Sequence, residues 1–261
     1  MNKEELVENV RQLRSRLQLA ISEYDDAELK EATGLRIEYT EKVGQFECAQ
    51  FELYLQYEEI NRKIEMVQAR INRGEKIDMD AINFEVANIL EKYYTKLNGM
   101  RDNVEEMLGY RFGAFVKIDN RAEIKSIYRK LMKILHPDVA GPKMDFDPEL
   151  WKRVQTAYKE NDLETLRMIN DIVGEATGEN LESMEETELL DMQERMELAI
   201  KRYQIKLQDL KRRFPFTEAE HLKNDAWVRA RQAELKKSIE EYKQAVVFLA
   251  ASLETIIREE R

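Results

Sequence analysis

The chain has 261 residues, of which 36% are charged and 43% are hydrophobic, and its formal net charge is −10 at pH 7. This composition supplies apolar side chains for a core and excludes both an intrinsically disordered chain and a membrane-embedded one. Because the acidic balance repels a phosphate backbone and an anionic lipid surface, neither nucleic acid nor a membrane is expected as a main partner.

Long helices are predicted for residues 1–114. Glycine and proline are scarce, with 9 and 4 in the whole chain, and the first proline is Pro137, so no proline forces a break in this region. Apolar side chains recur at alternating spacings of three and four residues, a pattern typical of helices that pack along a seam. These apolar stripes run over residues 6–24, 39–71 and 82–107. Since Gly74 can close a helix, residues 40–71 and 80–108 are predicted to form an antiparallel helical hairpin with its tip near Gly74.

A second helical hairpin is predicted at the C-terminal end of the sequence. Its two apolar stripes run over residues 189–210 and 235–256, and the chain breaks between them near Pro215. All the stripes are interpreted as packing surfaces, and the charges of both signs on the remaining faces as solvated surface. The predicted fold class is all-α, with an N-terminal domain over residues 1–114, a compact helical module over 115–175 and the C-terminal hairpin over 176–261.

The segment between the hairpins contains a basic helix that ends at a proline. Its basic side chains are Lys125, Arg129, Lys130 and Lys133. Pro137 lacks an amide hydrogen and disfavours helical geometry at His136, so the helix must end there and His136-Pro137-Asp138 is predicted to be a rigid, exposed corner. A turn at Gly141-Pro142 follows. Local positive charge on an acidic chain favours an acidic protein as the partner.

A further helix follows, and its pattern completes a resemblance to a known family. The residues that carry it are Tyr128-Arg129-Lys130-Leu131, then His136-Pro137-Asp138, then Trp151, Val154, Ala157 and Tyr158 at three- and four-residue spacings. Antiparallel packing of the two helices would bury their aromatic side chains in a small core. This segment resembles the J domain of DnaJ-type co-chaperones, and the whole arrangement resembles bacterial J-domain proteins with coiled-coil hairpins.

The resemblance implies contact with a partner and not catalysis. In J domains the basic helix and the His-Pro-Asp corner dock on the ATPase domain of a DnaK-type chaperone and stimulate its hydrolysis of ATP. Carried over by position, this role falls on His136, Pro137, Asp138, Arg129, Lys130 and Lys133, with Lys125 on the same basic helix. The hairpins would recruit a client or a partner coiled coil, or pair with a second copy of the chain.

Two other interpretations stay open. Leu135 and Val139 stand where the family usually has a tyrosine and a base, and the family's usual first helix is not at its expected distance. The module can therefore be a structural joint in a coiled-coil scaffold. An enzyme that uses His136 and Asp138 as an acid–base pair is disfavoured, because the sequence has no glycine-rich phosphate loop and no nucleophile motif.

The supply of metal-binding and redox-active side chains is small. Cys48 is the only cysteine, and His136 and His221 are the only histidines, which leaves no disulfide, zinc ribbon or redox pair. No cofactor and no metal are expected. The start of the sequence has no signal-type apolar core and no later stretch is apolar enough for a membrane span, so a reducing, cytoplasmic setting is expected.

Overall fold

The computed structural model describes residues 2–114, 120–140, 148–173 and 181–259, and these residues are helical with short turns and no strand. The all-α fold class is therefore confirmed. The turn predicted at Gly141-Pro142 and the first residues of the predicted module, 115–119, lie outside the described residues.

The helices vary from a single turn to more than eight turns. Their bounds are α1 Lys3–Asp25, α2 Ala32–Tyr39, α3 Gln45–Asn72, α4 Met79–Ala114, α5 Arg121–Leu135, α6 Pro137–Ala140, α7 Pro148–Lys159, α8 Leu163–Val173, α9 Glu186–Lys211, α10 Ala219–Lys223 and α11 Asp225–Glu259. Wider, π-type turns cover Asp26–Glu31 and Thr40–Gly44, and short 3-10 turns cover Leu181–Ser183 and Phe216–Glu218.

The chain forms two compact units, each built from segments that are distant in sequence. Unit 1 comprises residues 1–35 and 114–217, and unit 2 comprises residues 36–113 and 218–261. This division differs from the predicted boundaries at 114 and 175. The reason is that α1 packs along α9, and α11 packs along α3. The predicted pairing of residues 189–210 with 235–256 is therefore not the pairing that buries these stripes.

In unit 1 the long helices α1 and α9 lie parallel. Arg14 Nη2 lies 4.0 Å from Met192 Sδ, and further along both helices the rings of Tyr24 and Tyr203 meet with centroids 5.8 Å apart. The buried apolar side chains of α1 are Leu6, Val7, Val10, Leu13, Leu17, Ala20 and Ile21. Those of α9 are Leu189, Met192, Met196, Ala199, Ile200 and Tyr203. The predicted stripes thus identify the buried faces, although not their partners.

Helices α5, α7 and α8 pack beside this pair. Tyr128 of α5 stacks on Tyr158 of α7 with ring centroids 3.9 Å apart and meets Trp151 at 5.6 Å. This is the small aromatic core that the sequence predicts. Its side chains belong to the same continuous cluster of buried residues as those of α1 and α9, so the J-like segment shares one core with helices from outside it.

In unit 2 the side chains of α3 and α4 meet in antiparallel order. Arg70 pairs with Glu85 at 3.5 Å, and Arg101 pairs with Glu52 at 2.7 Å. Gly74 lies in the connection with φ +67°, a conformation that favours glycine.

Helix α11 lies parallel to α3. Arg231 Nη2 lies 2.9 Å from Glu47 Oε1, and Gln50 donates to Ser238 Oγ at 2.9 Å. Near the end of α11, the side chains of Leu253 and Ile256 pack against a cluster of buried residues from α3 and α4.

Candidate protein-interaction site

The backbone of the His-Pro-Asp corner follows the prediction from its proline. The amide of His136 donates to the carbonyl of Met132 at 3.1 Å and completes the last turn of α5. His136 itself is extended, with φ −76° and ψ 128°, as expected before a proline. The chain then makes the single turn of α6, in which Val139 donates to the carbonyl of His136 at 3.0 Å.

The side chain of His136 is buried, so the prediction of an exposed corner is wrong for this residue. Its relative exposure is 4%. The ring lies edge-on to Trp151 of α7 at 5.1 Å and to Tyr203 of α9 at 6.0 Å between centroids. The prediction considered only α5 and α7, whereas α9 supplies the third side of the enclosure. Burial lowers the pKa of His136 to about 4, so the ring is neutral at pH 7.

The hydrogen bonds of His136 define its tautomer. The backbone amide of Asp138 donates to Nδ1 at 3.1 Å, so Nδ1 carries no hydrogen. In the neutral ring the hydrogen is therefore on Nε2, which lies 3.2 Å from the hydroxyl oxygen of Tyr203. We infer from this geometry that Nε2 donates to that oxygen. His136 thus links the start of α6 to α9 from inside the core.

Asp138 and Pro137 form the accessible part of the corner. Pro137 is exposed. The Asp138 carboxylate forms an ion pair with Arg202 of α9 at 3.1 Å, with the two side chains 30% and 54% exposed, respectively. An ion pair this open to water contributes about 0–1 kcal/mol to stability. The pair therefore covers the Asp138 carboxylate without locking it in place.

The basic side chains of α5 are of two kinds: some are exposed to solvent, and one forms an ion pair within unit 1. Arg129, Lys130 and Lys133 are exposed to solvent, as predicted. Lys125 is half-buried and forms an ion pair with Asp26, which follows α1 in the chain. Lys125 therefore serves an internal contact, and the positive charge available to a partner lies on Arg129, Lys130 and Lys133, together with the exposed Arg121 at the start of α5.

Sequence reasoning missed the carboxylates that contact the aromatic core. Asp25 is 3% exposed and accepts a hydrogen bond from the hydroxyl of Tyr128 at 2.5 Å. Burial raises the pKa of Asp25 to about 6, despite the opposing effect of that hydrogen bond. Asp26 accepts a hydrogen bond from the hydroxyl of Tyr158. A signal for Asp25 does exist in the sequence, because it follows Leu17 and Ile21 at four-residue spacing and so continues their buried stripe.

The described residues contain no group of three or more histidine, cysteine, aspartate or glutamate side chains that could hold a metal ion. None of the helices in these ranges is long and apolar enough to cross a membrane.

Comparison of the chain with protein-family models, curated proteins and solved structures gave no match. Function is therefore inferred from the residues of the site.

Proposed function

We propose that this protein is a J-domain-type co-chaperone or adaptor that docks on a DnaK-type chaperone in the cytoplasm and stimulates its ATPase. The observation that supports this proposal is the geometry around the corner. His136-Pro137-Asp138 ends a helix that carries exposed cations, and the Tyr128–Tyr158 stack joins this helix to α7. This matches the residues on which the resemblance to J domains rests.

The parts of the site would act by different physical means. The exposed cations of α5 steer the encounter with an acidic protein surface and strengthen the complex at low ionic strength. Pro137 and Asp138 meet the partner, and a cation of the partner can replace Arg202 on the Asp138 carboxylate. His136 is a positioning residue, because its Nδ1 accepts from the amide of Asp138 and so orients the first turn of α6.

The test is the rate of single-turnover ATP hydrolysis by a DnaK-type chaperone from the same cell, measured with and without the full-length protein. We expect acceleration, and we expect Asp138→Asn to reduce it by about tenfold, since the change removes the charge but keeps the side-chain shape. Asp191→Asn is the matched control, because Asp191 is an exposed aspartate of α9. Equal acceleration by Asp138→Asn and the unmodified protein would contradict the proposal.

A second candidate is a coiled-coil scaffold in which the J-like segment is a structural joint. The observation that favours it is the burial of His136 under Tyr203, together with the Asp138–Arg202 pair, which ties the corner to α9. A folded protein that accelerates no DnaK-type ATPase of the cell would support the scaffold. In both cases the long helices of unit 2 are proposed to hold a client, a partner coiled coil or a second copy, which sedimentation would detect.

A further inference from the structure

A groove of about 300 Å³ lies in unit 1 between α1 and α5. The two helices run antiparallel along it. Lys125, in the first part of α5, pairs with Asp26 just after α1, whereas Lys133, near the end of α5, lines the groove together with Ser15 in the middle of α1. One wall of the groove therefore belongs to the basic helix, and the other belongs to a helix outside the J-like segment.

The groove combines apolar side chains with two cations. Leu19 of α1 is 54% exposed, and Met132 of α5, which also lines the groove, is fully buried. Arg129 and Lys133, one helical turn apart, are exposed. Among the residues that the structure describes, no acidic side chain lines the groove. Within the described ranges, no carboxylate lies at ion-pair distance from Arg129 or Lys133. These two positive charges therefore remain available to a partner.

We infer that this groove is a docking site for an acidic protein surface that presents an aliphatic side chain between carboxylates. The aliphatic group would pack on the exposed Leu19, above the buried Met132, and the carboxylates would meet Arg129 and Lys133. This inference rests on the proposed function and extends it, because it adds α1 to the surface that meets the DnaK-type ATPase domain.

Charge and polarity together favour this occupant. The phosphates of a nucleic acid or another polyanion would make no use of the exposed Leu19. An uncharged apolar peptide would leave Arg129 and Lys133 beside it without counter-charges. An acidic surface with an aliphatic side chain satisfies both the cations and the leucine.

The test measures the dissociation constant between the full-length protein and the ATPase domain of the DnaK-type chaperone by titration calorimetry. Leu19→Glu places a negative charge in the groove, and we expect it to weaken binding by about tenfold or more, since like charges at an interface are repelled. Leu190→Glu is the matched control, because Leu190 is an exposed leucine of α9, with 49% exposure compared with 54% for Leu19. It should change binding less than about twofold.

The dependence of the affinity on salt concentration distinguishes the contribution of the cations of the groove from that of Leu19. Lys133→Gln should reduce the dependence of affinity on ionic strength, because it removes a screened charge. Leu19→Ala should weaken binding by a similar factor at every salt concentration. Circular dichroism of each variant checks that the helices are intact.

Each outcome decides between the two proposals. If Lys133→Gln weakens binding while Leu19→Glu does not, the groove inference is wrong and the proposed function stands. If Leu19→Glu and Leu190→Glu weaken binding equally, the effect is one of net charge and the groove inference is again wrong. If the unmodified protein neither binds nor accelerates the chaperone, the proposed function fails, and the groove inference fails with it.

Discussion

At the scale of single residues, two buried titratable groups in unit 1 respond to acid in opposite ways. Burial lowers the pKa of His136 from 6.5 to about 4, so the unfolded chain binds more protons between these values. Its contribution to stability is present above pH 6.5 and is lost as the pH falls toward 4. Burial raises the pKa of Asp25 from 3.8 to about 6, so in this window the folded state binds more protons and gains stability as the pH falls. The two effects offset each other.

The variant Asp25→Asn should reveal the contribution of His136 to the pH dependence of stability. The amide keeps an oxygen that can accept from Tyr128, but it cannot take up a proton. We expect the free energy of unfolding to fall between pH 6.5 and pH 4 by about 3 kcal/mol more than in the unmodified protein, from a pKa shift of about 2 units. Urea denaturation at several pH values measures this difference. Identical pH dependence of the two proteins would show that Asp25 does not titrate in this range.

At the scale of secondary-structure elements, the two helices that meet near Gly74 show how local geometry sets the effect of a substitution. Gly74 lies between α3 and α4 with φ +67°, where an L-residue is strained. Gly99 lies inside α4, and a Cβ atom added to it would meet nothing within 4 Å. The same substitution at these two glycines should therefore have effects of opposite sign.

Gly74→Ala should lower the free energy of unfolding by about 1 kcal/mol, because alanine must adopt the left-handed conformation there. Gly99→Ala should raise it by about 0.5–1 kcal/mol, because glycine in a helix interior is less favourable than alanine. Thermal unfolding followed by circular dichroism compares the two variants directly. Stabilisation by Gly74→Ala would contradict the conformation assigned to the tip.

At the scale of the whole molecule, the J-like segment is part of a larger core. Tyr128 donates to Asp25 of α1, and His136 contacts Tyr203 of α9. Removal of α1 and α9 would expose these polar groups and the apolar face beneath α5. The folded structure of the segment therefore depends on α1, which precedes it in the chain, and on α9, which follows it.

A fragment of residues 115–175 should accordingly fail to fold by itself. We expect weak helical circular dichroism and no cooperative urea transition, because the fragment loses the apolar surface that α1 and α9 cover. A fragment of residues 1–217, which contains all of unit 1, is the matched comparison and should unfold cooperatively. A cooperative transition in the short fragment would show that the J-like segment is an independent domain.

The sequence predicts the helices better than it predicts their pairing. A heptad stripe is a local pattern, so the buried faces of α1 and α9 are predicted correctly, and the stripe of α11 is the mostly half-buried face of that helix. The stripes resemble one another, however, and nothing in their spacing specifies that α1 pairs with α9 or that α11 pairs with α3. The same limit explains the error at His136. Its cover, Tyr203, lies 67 residues later in the chain, beyond the reach of any local motif.

The interleaved order of the two units also determines when each can form during synthesis. Arg14 and Met192 lie 178 residues apart, and Gln50 and Ser238 lie 188 apart. When α1 has emerged from the ribosome, its apolar face therefore stays exposed until α9 has been synthesised and can pack against it. Until then the imidazole of His136 lacks its contact with Tyr203, so the corner reaches its final form only late in translation.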